Sequence, residues 1–343
     1  MSMTVIPSLL FGLVCGMFIA KRGALIGVLL GCSLAILGHL ALDVFAEFEA
    51  SMYAARIVHG IAMGFFLPAV ITFSKSMLTG KNETANFGVF TSMIPGANLI
   101  GPTLGEQYLI EFGNENYFFV TAIPGAISLI LFAFLFVRYS KEETKHDVVH
   151  GYWQVVKERE ITVPIIGIVF PGLLWGFVLT YVSLSLNTAG LSIGVFFVSL
   201  TTFLFIGRFL VLRIIGGMKR EFVVLVSTVV MSLALVLVSV YSTNTVAAVS
   251  GALFGVSYSI SYPVFSMWVA NSISPNLKPQ AVALTNTLFN TYLYSAPLLC
   301  AIFLNFTSIL NLQFWYGTTL AIIAVVFFGL ALVLGREKKT ASI

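Results

Sequence analysis

Eleven runs of about 20 apolar residues follow one another along this chain, and no other feature narrows its fold so sharply. They cover 3–20, 23–42, 51–74, 86–109, 117–137, 161–184, 190–212, 221–241, 245–270, 281–304 and 313–335. A bilayer core is about 30 Å thick, and about 20 helical residues cross it. In that core a backbone must satisfy its own hydrogen bonds, which helices do. Charged residues make up only 9% of the 343, against roughly a quarter in a soluble domain. Mean hydropathy is +0.99. Such a chain cannot coat a soluble surface, which excludes a cytosolic enzyme. Its 31 Phe exclude disorder. The expectation is an all-α polytopic membrane protein.

Orientation follows from Lys and Arg, which are retained on the cytoplasmic side. Alternate connections carry Lys21 and Arg22; Lys75 and Lys81; Arg138, Lys141, Lys145, Lys157 and Arg159; Arg213, Lys219 and Arg220; Lys278; and Arg336, Lys338 and Lys339. These are 16 of the 18 basic residues. The other connections carry none and hold Asp43, Glu47, Glu49, Glu111 and Glu115 instead. The C-terminus is expected in the cytoplasm and Met1 outside, in a prokaryotic inner (plasma) membrane. The opening run has no positive charge before it and no cleavage site, so it does not read as a signal peptide.

The spans repeat. Gly60 precedes Pro68 by eight residues, and Gly255 precedes Pro263 by eight. Pro102 follows Pro68 by 34, and Pro297 follows Pro263 by 34, so one shift of 195 relates both sets. Two bundles built alike are expected: 1–137 with five spans and 161–343 with six, joined by a solvated cytoplasmic linker at 138–160. Their shared mid-membrane interface is the natural place for a substrate. Subtracting 195 from 161–184 gives positions before residue 1. One further helix is therefore expected ahead of Met1, and its cause stays open between a misplaced start, a truncated gene and an eleven-helix variant.

Three motifs add to this pattern. After the first span the chain reads Gly16-Met-Phe-Ile-Ala20-Lys21-Arg22-Gly23. The third span holds Arg56-Ile-Val-His59-Gly60-Ile-Ala-Met-Gly64, and the fourth Ala97-Asn-Leu-Ile-Gly101-Pro102-Thr-Leu-Gly105-Glu106. In these the chain resembles the major facilitator superfamily of secondary transporters, in register from that family's second helix onward. The first resembles the family's Gly-x-x-x-Asp-Arg loop, with Ala20 at the Asp position, which weakens the charge relay. The second resembles Arg-x-x-Gln-Gly, with His for Gln. The third resembles the Gly-Pro signature associated with antiporters and efflux pumps. Arg208 matches an Arg frequent in the eighth helix, while Gly216-Gly217-Met-Lys219-Arg220 is a degenerate second loop copy.

Arg56 and Arg208 lie within spans, where a bare charge costs at least a few kcal/mol. Arg56 would organise a carboxylate, a water chain or an anionic substrate; the plainer alternative is pairing with backbone carbonyls. Arg208 lies nearer the cytoplasmic end, where its side chain could snorkel to the interface. His59, three residues from Arg56, is a candidate proton carrier or a packing residue. His39 has no sequence neighbour to pair with and reads as structural. Glu106, at the outer end of its helix, is the one carboxylate near the membrane interior, a candidate proton site or an interfacial helix-end residue. Asn286, Asn290 and Tyr294 form one polar-aromatic stripe at helical spacing, and Tyr258 and Tyr262 another. The resemblance implies that Trp175, Tyr181, Tyr258 and Tyr262 line a central cavity; hydrogen bonding between helices is the alternative.

Gly101, Pro102 and Gly105, with Gly16, Gly23, Gly60, Gly64, Pro263 and Pro297, read as packing and bending positions. On this reading Gly101→Leu obstructs closure and Gly23→Leu is milder. Cys15, Cys32 and Cys300 read as small buried hydrophobes. No nucleotide loop, metal cluster, cofactor site or nucleophile triad is visible, and no nucleic-acid partner is expected. The expected function is proton-coupled efflux of a small amphipathic molecule by a monomer in the lipid bilayer. A non-transporting remnant or sensor of the same fold and a nutrient importer are the alternatives.

Overall fold

The computed structural model describes residues 2–44, 49–78, 82–139, 151–241 and 243–340. It is helical along these segments. Helix α1 is Ser2–Arg22 and α2 is Ala24–Val44. Gly23 alone joins them, with φ +96° and its N–H donating to the Ile19 carbonyl at 2.8 Å. An L side chain strains in that conformation, so the one-residue turn requires glycine. Helix α3 is Glu49–Met77, and α4 (Glu83–Thr91) and α5 (Met93–Phe112) are separated only by Ser92. Helix α6 is Tyr117–Tyr139 and the short α7 is Tyr152–Lys157.

The next crossing is assembled from α8 (Thr162–Gly167), α9 (Val169–Phe177), a π-helical turn at Val178–Val182, and α10 (Ser183–Thr188). Helix α11 (Ile193–Ile206) runs through a second π turn, Gly207–Val211, into α12 (Leu212–Ile214). Then come α13 (Arg220–Val240), α14 (Asn244–Asn271), α15 (Lys278–Leu304) and α16 (Ile309–Thr340).

Ten helical stretches among the described residues are long and apolar enough to cross a membrane. They coincide with ten of the eleven expected runs. The remaining run, 86–109, falls on α4 and α5 and is interrupted at Ser92. The cytoplasmic stretch expected as solvated is partly docked. Val155 of α7 is fully buried, and the Tyr152 hydroxyl donates to the Leu13 carbonyl of α1. Burial pushes the Tyr152 phenol above the usual tyrosine range. Residues 140–150 of that stretch lie outside the described residues.

By contact the described residues form two units. The first comprises those within Met1–Met77, Ala97–Glu160 and Ser272–Thr287; the second comprises those within Leu78–Gly96, Ile161–Asn271 and Leu288–Ile343. The short segments that join the unit built mainly from the other half are themselves repeat mates. Shifting 78–96 by the sequence repeat of 195 gives 273–291, which overlaps 272–287.

Within each unit the repeat is one of contacts. In the first, a Cβ on Gly60 would collide with the Thr4 carbonyl, and one on Gly64 would lie 2.8 Å from the Ser8 carbonyl oxygen. In the second, Gly251 and Gly255 of α14 abut the Phe196 and Leu200 carbonyls of α11 in the same way. Gly60 and Gly255 are 195 apart, as are Gly12 and Gly207, which face α3 and α14 respectively. Small residues one turn apart let backbones touch, and in lipid that packing replaces the hydrophobic effect as the force between helices.

Candidate functional site

The second unit buries an arginine. Arg208 sits in the π turn of the α11 crossing and is 2% exposed. Its Nη1 donates to the Thr91 hydroxyl at 3.0 Å and to the Gly88 carbonyl at 3.4 Å, both on α4. The Thr91 hydroxyl donates back along its own helix to Phe87 and Gly88, which leaves its lone pairs to accept from the guanidinium. The Arg208 Nε is buried without a hydrogen-bond partner. No carboxylate pairs with Arg208 among the described residues. The sequence expectation that this side chain snorkels is therefore corrected. The π turn and the neighbouring α4 direct it inward, where neutral oxygens receive part of its charge.

The same unit holds an aromatic stack. The Trp175 indole and the Tyr258 ring are 4.4 Å apart and 11° from parallel, and Phe254 stacks on both at 6.2 and 6.4 Å. Tyr262, one turn on from Tyr258, meets Phe289 edge to face at 4.9 Å. Tyr258 and Tyr262 are both close enough to interact electrostatically with Arg208. Trp175, Tyr258 and Tyr262 are buried in the unit's core. Tyr181 is half-buried, and its hydroxyl donates to the Pro297 carbonyl at 2.9 Å.

The prolines and glycines acquire separate roles. Pro297 supplies no N–H to the Leu293 carbonyl four residues back, and Gly176 of α9 lies against that carbonyl. Pro263 is buried within the unbroken α14, where a Cβ on Gly88 would lie 3.8 Å from its ring. Gly16 of α1 lies where α7 and α15 converge. A Cβ there would collide with the Tyr152 hydroxyl and stand 2.7 Å from Ala283. Gly105 faces the Tyr117 hydroxyl at 2.7 Å from its would-be Cβ. Gly101 has nothing within 4 Å, so its expected role in close packing does not hold here. The strained position is Gly23, the reverse of the sequence ranking. Pro102 and Glu106 lie within α5, but their side chains fall outside the described residues.

In the first unit, Arg56 is exposed on α3. His59, one turn on, is half-buried, and its Nδ1 is buried without a partner. Its ring packs 4.8 Å from that of His39 on α2. The His39 Nδ1 lies 2.9 Å from the Ala35 carbonyl. A proton on that nitrogen would donate to the carbonyl. His39, read from the sequence as solitary, is thus part of a pair. No sequence signal could have found it, because the partners belong to different helices. Asn286 is buried and Asn290 half-buried on α15, and the boundary between the units falls between them, after Thr287.

A family model described as the Major Facilitator Superfamily matches residues 1–293. An uncharacterized MFS-type transporter of Mycobacterium tuberculosis is 30% identical over 84 residues, which are 24% of this chain and 14% of that protein. The alignment thus spans about one-seventh of that relative. Among solved structures, the human organic anion transporter MFSD10 (TETRAN) is similar with a TM-score of 0.79 at 14% identity, covering 95% of this chain and 82% of that one. The Escherichia coli fucose:proton symporter FucP is similar with a TM-score of 0.66 at 15% identity, covering 96% of this chain and 89% of that one.

Proposed function

Because this chain belongs to the major facilitator superfamily, we propose that it is a secondary active transporter that exports a small amphipathic molecule in exchange for protons. The bundles of 1–137 and 161–343, linked by 138–160, alternate access to the substrate. The observation that carries the reading is the buried Arg208 in the same unit as the Trp175–Tyr258 stack. A cation buried in a spanning helix, with no carboxylate paired to it among the described residues, and in one unit with flat apolar rings, suits a ligand with one polar or anionic end and one apolar body.

Two features of the first unit support proton exchange. His39 and His59 are imidazoles, whose ordinary protonation range is near neutral pH. Their rings touch, so a proton on either acts directly on the other. The Gly101-Pro102 motif, shared with antiporters, supports export over import.

The test is transport by the purified chain in proteoliposomes carrying an imposed pH gradient, with a panel of amphipathic anions, cations and neutral compounds. Export against proton entry supports the reading. Uptake with protons makes the protein an importer. The absence of any gradient-driven flux across the panel favours a non-transporting member of the fold.

A further inference from the structure

The surface of the second unit carries an apolar groove of about 370 Å³ between α11, α13 and α14. Its walls include Phe203, Val226, Leu253 and Val256, and its only polar side chains are the hydroxyls of Ser227 and Ser257. Two smaller hollows share lining residues with it. Met218 lines all three. Lys219 lines one hollow and Arg220 the other. Both basic residues are exposed, and so is Arg213 one short helix earlier. Glu83 also borders the Arg220 hollow, but its carboxylate is engaged by the Asn271 amide.

The local chain makes this shape. The α11 crossing loosens through a π turn, the three residues of α12 and a 3-10 turn at Ile215–Gly217 before α13 begins. An irregular end of this kind cannot lie flush along α13 as a regular helix would, so a wedge stays open between them. The basic residues of the adjoining hollows belong to the connection that the charge pattern places in the cytoplasm.

We propose that this groove is a binding site for one anionic phospholipid of the cytoplasmic leaflet. The acyl chain lies along Phe203, Val226 and Leu253, and the phosphate sits between Lys219 and Arg220. The commitment to a lipid follows from the combination. A soluble anion would use the cations and leave the groove bare. A neutral lipid would use the groove and leave the cations without a counter-charge. Basic pockets between helices on the cytoplasmic side favour anionic headgroups, by about 1 kcal/mol per Lys or Arg near the surface. The proposal is independent of the transport reading.

The experiment is native mass spectrometry of the purified full-length protein titrated with palmitoyl-oleoyl phosphatidylglycerol, and with the phosphatidylcholine of the same chains. The anionic lipid is expected to bind roughly tenfold more tightly. The double variant Lys219→Gln/Arg220→Gln should bring it down to the level of phosphatidylcholine. Val226→Trp, which fills the groove, should lower the occupancy of both lipids. Glycerol 3-phosphate alone should not displace the bound lipid. Equal binding of the two lipids by the unmodified protein overturns the proposal. So does an undiminished preference in the double variant, or displacement by glycerol 3-phosphate. If Val226→Trp does not fold, the charge-neutral pair, which alters only surface side chains, decides alone.

Discussion

The rings of His39 and His59 lie 4.8 Å apart across α2 and α3, with the His59 Nδ1 buried and unpartnered. Such a nitrogen has only two good states: bonded to something that arrives, or protonated with a change in its surroundings. Its neighbours decide the cost. They are a second imidazole whose ring lies 4.8 Å away and, one turn back on the same helix, Arg56. If the pair carries the coupled proton, His59→Gln should flatten the dependence of export on the pH gradient while substrate binding survives. His39→Phe keeps the ring contact and should shift that dependence without abolishing it. Wild-type pH profiles for both variants would remove the pair from the mechanism.

Arg208 and Arg56 should differ in kind. Arg208→Ala deletes charge-assisted bonds to Thr91 and Gly88 worth about 1.5–3 kcal/mol, so the protein should melt lower; if the guanidinium also meets the ligand, as proposed, substrate affinity should fall by tenfold or more. Arg208→Lys keeps the charge but replaces the planar guanidinium, whose Nη1 reaches both Thr91 and Gly88, by a compact, strongly hydrated ammonium, and should recover little. Arg56 is exposed on its unit, so Arg56→Ala should insert and accumulate normally. Any loss of export then reports on the cycle. Binding isotherms and flux on the same reconstituted variants separate the two residues.

Glycine substitutions should rank by contact. Gly255→Leu drives a side chain into the Leu200 backbone, an overpacking that costs about 1–3 kcal/mol. Gly23→Leu forces an L residue to positive φ, at about 1–2 kcal/mol. Gly101→Leu meets nothing and should leave the melting temperature of the detergent-solubilised protein unchanged. A Gly101→Leu protein that melts lower than Gly255→Leu would mean that the contacts around α5 differ from those described.

Topology provides an independent check. A phosphatase or fluorescent reporter fused after Glu337 should behave as cytoplasmic, and one inserted near Asn114 as external. An external C-terminal reporter would invert the sidedness that the basic residues predict, and the placement of the lipid site with it.

The crossings and the internal repeat were legible in the sequence for a simple physical reason. The bilayer imposes length and apolarity on each segment separately, and the 195-residue shift needs only Gly60, Pro68, Pro102 and their counterparts to be seen. What each of those residues touches was decided by tertiary structure. Local spacing placed Arg208 near a helix end and suggested snorkelling; a π turn and the approach of α4 buried it instead. Spacing ranked Gly101 above Gly23, but the contacts reverse the order, since one faces open space and the other is the whole of a turn. His39 acquired its partner from a helix about 20 residues away along the chain. A hydrophobic run is a property of consecutive residues and survives reading one segment at a time. A buried cation, a stacked pair or a lipid groove is a property of two or three helices at once, and comes into being only when they pack.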